Sequence, residues 1–238
     1  VVKAELANRA RPDNPKTRKG THHVKYFVLV AIAMLAGCAT TTTPITAENA
    51  QKLTGESLVT AKRESPSFVA MTSTKGMFAL VGAVTAISAG NELVESNNIE
   101  DPAPKIADTL ANRLAEQYSM AYKGQTDQTI TAGDASAIAK AVSDDAYVVN
   151  VATRNWSFIY DGFNFSDYSL TYIADLKLID TRIGKAISEG SCTYETKEEI
   201  GTVPYETLVA DNAAFIKEHL SAAADRCLNE FSTELFRL

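Results

Sequence analysis

The chain has 238 residues, 45% of them hydrophobic and 22% charged, a balance that excludes wholesale disorder and allows one good-sized domain with a short tail. The net charge of −6 is unevenly placed: residues 1–37 hold seven Lys/Arg and two Asp/Glu, which leaves −11 on the remainder. A part that acidic has no electrostatic footprint for nucleic acid, and an anionic bilayer would repel it.

The first methionine, Met34, lies inside an apolar run and makes no sensible start. Residues 1–23 are polar, contain Arg11-Pro12-Asp13-Asn14-Pro15 and show no helical or strand period. They are expected to be a dispensable or mis-extended prefix, with translation starting at Val24 through an alternative start codon; a long basic leader is the other reading. Residues 24–37 have the layout of an export signal: Lys25, then the apolar run Tyr26 to Ala36, then small residues. That run is about half the ~20 residues that span a bilayer as a helix.

The run ends in Leu35-Ala36-Gly37-Cys38, which resembles the lipobox of bacterial lipoproteins. The resemblance implies a diacylglyceryl group on the Cys38 thiol, cleavage before Cys38 and acylation of the new amine; no other cofactor is expected. At ~0.8 kcal/mol per buried CH₂, three acyl chains make attachment effectively permanent. By resemblance to enterobacterial sorting, Ala39 implies the outer membrane, with the domain facing the periplasm. Residues 38–56 are then the lipidated cysteine and a flexible Thr-rich tether, and residues 57–238 a single periplasmic α/β domain.

Within that domain, Ser67 to Ser73 reads as a short strand ending in a turn signal. Met77 to Gly90 is uncharged, and Gly82, Ala86 and Gly90 recur every four residues along one helix face. Such a face suits burial against a sheet, or self-association, or insertion during assembly. Asp101-Pro102-Ala103-Pro104 ends that helix and starts another, amphipathic through Ile106, Leu110, Leu114 and Tyr118. A short helix is expected over Ala135 to Val142. Tyr147, Val149 and Val151 then alternate, followed by Trp156, Phe158 and Tyr160 with opposite parity, which predicts a bulge or bend near Arg154-Asn155. A turn at residues 161–164 leads to a strand with Leu170, Tyr172, Ala174, Leu176 and Leu178 on one face. A hairpin turn at residues 180–185, with Gly184 free to take positive φ, leads to a third strand, Ala186 to Tyr194. One long helix closes the chain, about Tyr205 to Phe236. The fold class is α/β (α+β): a mixed sheet with an antiparallel three-strand meander, helices mainly on one face and a long C-terminal helix.

Export leads to an oxidising compartment, so Cys192 and Cys227 are expected to pair; two free buried thiols are the alternative. Two cysteines lack the ligand number for structural zinc. Catalytic chemistry is poorly supplied. His22 and His23 lie in the prefix, and His219, on the polar side of the last helix, reads as a solvated residue. No nucleophile-elbow, zinc-protease or phosphate-loop pattern occurs. Asp175 and Asp180 are candidates for a polar site, or for salt bridges with Lys177 or Arg182. Trp156, Phe163 and Phe165, in an aromatic cluster around one hairpin, are candidates for a partner surface or for core.

From Ser67 onward the pattern resembles small α/β envelope accessory lipoproteins of the curli-secretion and cell-wall-synthase-activator type, chiefly in the hairpin Leu178-Ile-Asp-Thr-Arg-Ile-Gly-Lys185. The expected function is that of a non-catalytic, lipid-anchored envelope protein. Its partners would be the membrane, through the anchor, and an envelope protein or a second copy of itself. A carrier for an apolar ligand in envelope lipid transport is the alternative and requires a hydrophobic cavity between sheet and helices. An acid-dependent hydrolase, the third reading, requires two carboxylates converging in a cleft.

Overall fold

The computed structural model describes residues 42–73, 79–162 and 164–238. Cys38 and Phe163 lie outside the described residues. The sheet runs in the order β3-β1-β4-β5-β6. Its strands are β1 (Ser57–Lys62), β3 (Ala121–Thr129), β4 (Tyr147–Asp161), β5 (Asn164–Asp180) and β6 (Lys185–Glu195). Strand β2 (Val69–Met71) runs parallel to the far half of β4, and β7 (Val203–Pro204) pairs with β5 at Asp167 and Tyr168. β1 is parallel to both β3 and β4, whereas β4, β5 and β6 form the expected antiparallel meander. The helices are α1 (Ala47–Lys52), α2 (Ala79–Asn97), α3 (Ala103–Tyr118), α4 (Ala135–Ala141), α5 (Thr196–Glu199) and α6 (Tyr205–Glu230), followed by a π-helical turn, Phe231–Phe236.

The meander forms where the alternation placed it. The β4–β5 register shifts between Thr153 and Asn155, at the expected bulge, so Tyr147, Val149 and Val151 share the inner face with Trp156 and Phe158. Leu170, Tyr172, Ala174, Leu176 and Leu178 of β5 are all buried on that face, and Gly184 turns the next hairpin at φ +64°. α3 lays Ile106, Leu110 and Leu114 onto this core, each fully buried and worth about 1.5–3 kcal/mol of apolar transfer. Asp101 Oδ1 accepts from the Ala103 amide at 3.0 Å and so satisfies one orphan donor of that helix. The opposite face carries a smaller core: Val59, Ala61, Val148 and Ile179 meet Ile138, Ala139 and Val142 of α4 and its C-terminal end. Among the described residues no helix is long and apolar enough to cross a membrane.

Three expectations need correction. First, the tether does not extend to residue 56. Thr43 makes an antiparallel bridge to Glu189 on the edge of β6, its N–H donating at 2.7 Å and its carbonyl accepting at 3.0 Å. Thr46 caps α1 through its hydroxyl, and Ile45 and Leu53 are buried. The polar composition hid two apolar residues that anchor this segment. Second, the sheet has three strands beyond the predicted ones, β1, β3 and β7: β1 is buried on both faces and lacks alternation, β3 is a polar edge strand, and β7 has two residues. Third, the last helix is interrupted. Ala210 is extended, and Asp211, Asn212 and Ala213 follow at φ +51°, +56° and +55°. Left-handed backbone costs roughly 1–2 kcal/mol per non-glycine residue, although Asn and Asp tolerate it best. The break lets Leu208 and Ala213 both be fully buried.

Cys192 of β6 and Cys227 of α6 form a disulfide, with Cα atoms 5.4 Å apart and both residues fully buried. It closes 35 residues of chain, worth about 3–4 kcal/mol on the chain-entropy model, and ties the last helix to the sheet.

Candidate functional site

The residues singled out in the sequence divide sharply by environment. Trp156 is core, not surface: it is 3% exposed, its ring meets Phe68 edge-on at 5.3 Å, and its Nε1 donates to the Pro66 carbonyl at 2.7 Å. Ala86 is fully buried, and a Cβ on Gly90 would stand 1.9 Å from the Phe68 carbonyl oxygen. The small-residue face of α2 is therefore buried inside the domain at these two positions, at Gly90 against Phe68 and Ala70, and is not free for self-association there. Gly82 lies on the same helix.

Phe165 behaves differently. It is 58% exposed at the start of β5, with its ring centroid 5.5 Å from that of Tyr160. The far end of the β4–β5 hairpin carries more apolar surface than expected. Ile159 is half-exposed on the outer face, opposite Met71 of β2. Tyr205 lies partly open over Phe158 and Tyr168, at centroid distances of 6.0 and 5.7 Å. The exposed side of α2 presents Val84 and Ile87, the former 70% exposed. Ile159 was readable in advance, since Trp156, Phe158 and Tyr160 face the core and the intervening isoleucine must face away. Tyr205 was not, because its place depends on the break in α6.

The polar candidates are engaged within the fold. Asp180 receives both Nε and Nη2 of Arg182 at 3.0 Å, and Arg182 also reaches Glu56 and stacks over Tyr147. Burial alone would raise the Asp180 carboxyl, but the hydrogen bonds and charge of Arg182 reverse this and hold it below its usual range. Asp175 faces Arg154 at 3.5 Å, while Lys177 donates to the Gly133 carbonyl. His219 is half-buried, not solvated: it packs on Phe215 at 4.3 Å, and its Nδ1 is 2.7 Å from the Tyr194 hydroxyl. That neighbour is a phenol pushed up by burial, not an activated nucleophile.

Two surface clefts accompany these features. One, of about 290 Å³, lies where the α2–α3 turn meets α6, lined by Ile99, Asp101, Lys105, Lys217 and Leu220. Beneath it Asp101 accepts from the Thr153 hydroxyl, which in turn lies 3.0 Å from the Tyr172 hydroxyl. Burial, and then the Asp101 charge, push that phenol strongly up, so it stays protonated. The other cleft, about 370 Å³ and mostly polar, follows β3 and the end of α4, where Asp127, Asp144 and Asp145 gather with Lys123. Lys123 holds Asp145 at 2.6 Å. Neither cleft is the apolar chamber between sheet and helices that an apolar-ligand carrier requires. Among the described residues no group of three or more His, Cys, Asp or Glu is placed to hold a metal ion.

No protein-family model matches the chain, and no curated protein does. Several solved structures align with it at low similarity. PelC, in a dodecamer from Paraburkholderia phytofirmans, is 12% identical at a TM-score of 0.33, over 83% of this chain and 96% of that one. A Xanthomonas campestris protein of the DUF330 family model is 12% identical at 0.36, over 82% and 91%. A lipoprotein from Neisseria meningitidis is 18% identical at 0.27, over 73% and 99%. At these scores the likeness assigns no activity to the chain.

Proposed function

We propose that this is a lipid-anchored, non-catalytic protein of the bacterial cell envelope. It is held to the outer membrane through Cys38 and docks to a protein partner, a second copy of itself included, with the far end of its β4–β5 hairpin. The observation that carries the docking half is Phe165: a large aromatic side chain 58% exposed beside Tyr160, on a hairpin whose inner aromatic residues Trp156 and Phe158 are buried. Contiguous exposed apolar surface marks interaction sites, whereas apolar side chains scattered singly do not. The anchoring half rests on the export signal and Leu35-Ala36-Gly37-Cys38. The polar candidates Asp175, Asp180 and His219 are each held by a structural neighbour, which favours a binding role over a catalytic one.

Two experiments separate the halves. Cys38→Ser is expected to release the protein from the membrane fraction and abolish cleavage before residue 38; unchanged processing and membrane retention would refute the anchor. A photoreactive amino acid at position 165 is expected to yield a discrete crosslinked species in cells, while the same probe at the exposed position Thr193 does not. Equal yields at the two positions would refute the docking surface.

A further inference from the structure

One short stretch of the chain lies across the far end of the β4–β5 hairpin with a single fully buried side chain. Residues 202–210 run between two points of left-handed backbone, Gly201 at φ +87° and the turn Asp211–Asn212–Ala213. Between them only Leu208 is fully buried. Val203 and Pro204 pair with Tyr168 and Asp167, and Tyr205 rests its ring on Phe158 and Tyr168. Among the described residues, no side-chain hydrogen bond or ion pair ties residues 202–213 to the rest of the fold. Their sequence, meanwhile, carries a helical pattern straight through the break from Tyr205 onward. Two arrangements of the same residues therefore compete: a folded-back turn with three left-handed residues, and an uninterrupted helix that carries Tyr205 and Leu208 off the sheet.

We propose that residues 202–210 are a strap that opens when the left-handed turn at Asp211–Ala213 converts to right-handed helix. Opening adds Phe158 and Tyr168 to the apolar surface that Tyr160 and Phe165 already present. The closed form is held by Leu208, the Tyr205 ring and the β7 pairing; the open form is favoured by relief of three non-glycine left-handed residues. A protein partner that binds the enlarged aromatic surface would shift the population toward the open form. This part rests on the docking function proposed above, whereas the strap itself does not.

Asn212 is exposed, so its substitution tests the strap without disturbing the core. Alanine resists left-handed backbone and favours helix; glycine accepts the turn and disfavours helix. In hydrogen exchange on the whole mature chain, Asn212→Ala should speed the amides of Val203 and residues 205–209 by about threefold or more, and Asn212→Gly should slow them by a similar factor. Amides at Leu176 and Leu178 in β5 should not change in either variant. Shifts of the same sign in the two variants would overturn the strap. So would wild-type strap amides that exchange no faster than those of Leu176 and Leu178, since the segment would then open only with global unfolding. If the two variants respond as expected but a photoreactive residue at position 165 captures nothing in either, the docking reading fails and the strap stands.

Discussion

Gly90→Ala tests the close approach of α2 to β2. On an ideal backbone the new Cβ falls 1.9 Å from the Phe68 carbonyl oxygen and 3.1 Å from the Ala70 nitrogen. Carbon–oxygen contacts settle at about 3.3 Å or more, so helix and strand must part by roughly 1.4 Å. Both obstructing atoms are backbone, and no side-chain rotation relieves the clash. Phe68 is fully buried and donates its amide to Asn91 Oδ1 at 3.1 Å, so separation also strains that bond. Overpacking of this kind costs about 1–3 kcal/mol, against which alanine's better helix propensity returns up to about 1 kcal/mol. The expected net loss is about 1–2 kcal/mol. With a urea slope of about 2 kcal/mol/M, the unfolding midpoint falls by roughly 0.5–1 M. The single tryptophan, Trp156, packs on Phe68 and reports this region by fluorescence. Ser88→Ala, on the exposed side of the same helix, is the control and should be neutral or slightly stabilising. A Gly90→Ala protein as stable as this control would refute the packing.

Replacing both Cys192 and Cys227 with alanine should lower stability by about 3 kcal/mol or more, and reductant should then leave the urea midpoint unchanged, unlike in wild type. Trp156→Phe leaves the Pro66 carbonyl without its indole donor and should cost about 1–2 kcal/mol by thermal melts followed by circular dichroism. The Asp180 carboxyl has a folded-state pKa below its unfolded one, so its stabilisation is complete above about pH 4 and disappears as pH falls through the folded value. Asp180→Asn should therefore be less stable than wild type at pH 7, with the gap closing below about pH 4; a pH-independent gap in urea midpoints would contradict the Arg182 pairing.

The meander was legible because one face of each strand is buried: Leu170 to Leu178 alternate in sequence as they do in burial, and the parity change at residues 154–155 required a bulge or a bend, of which the register shift is the first. α3 was legible for the same reason at helical spacing. β1 was not, because Leu58 enters one core while Val59 and Ala61 enter the other, which erases the alternation. β3 was not, because its pairing with β1 is set by backbone bonds that leave no hydrophobic signature. The break in α6 escaped because Ala210 and Ala213 are good helix formers, overruled by tertiary packing. At the candidate site, Phe165 and Trp156 look alike in sequence; only the Pro66 carbonyl and the Phe68 ring distinguish the buried indole from the exposed phenyl. The Cys192–Cys227 pairing was expected from the export signal and the count of three cysteines, and the 5.4 Å between their Cα atoms decides it against two free thiols.

The bridge between Thr43 and Glu189 also sets a length scale. From Cys38 to Thr43 there are five peptide units, which reach at most about 18 Å when fully drawn out. With lipid on Cys38, the outer edge of β6 would sit within that radius of the headgroups. A protein moored so short would meet its partner at the bilayer surface.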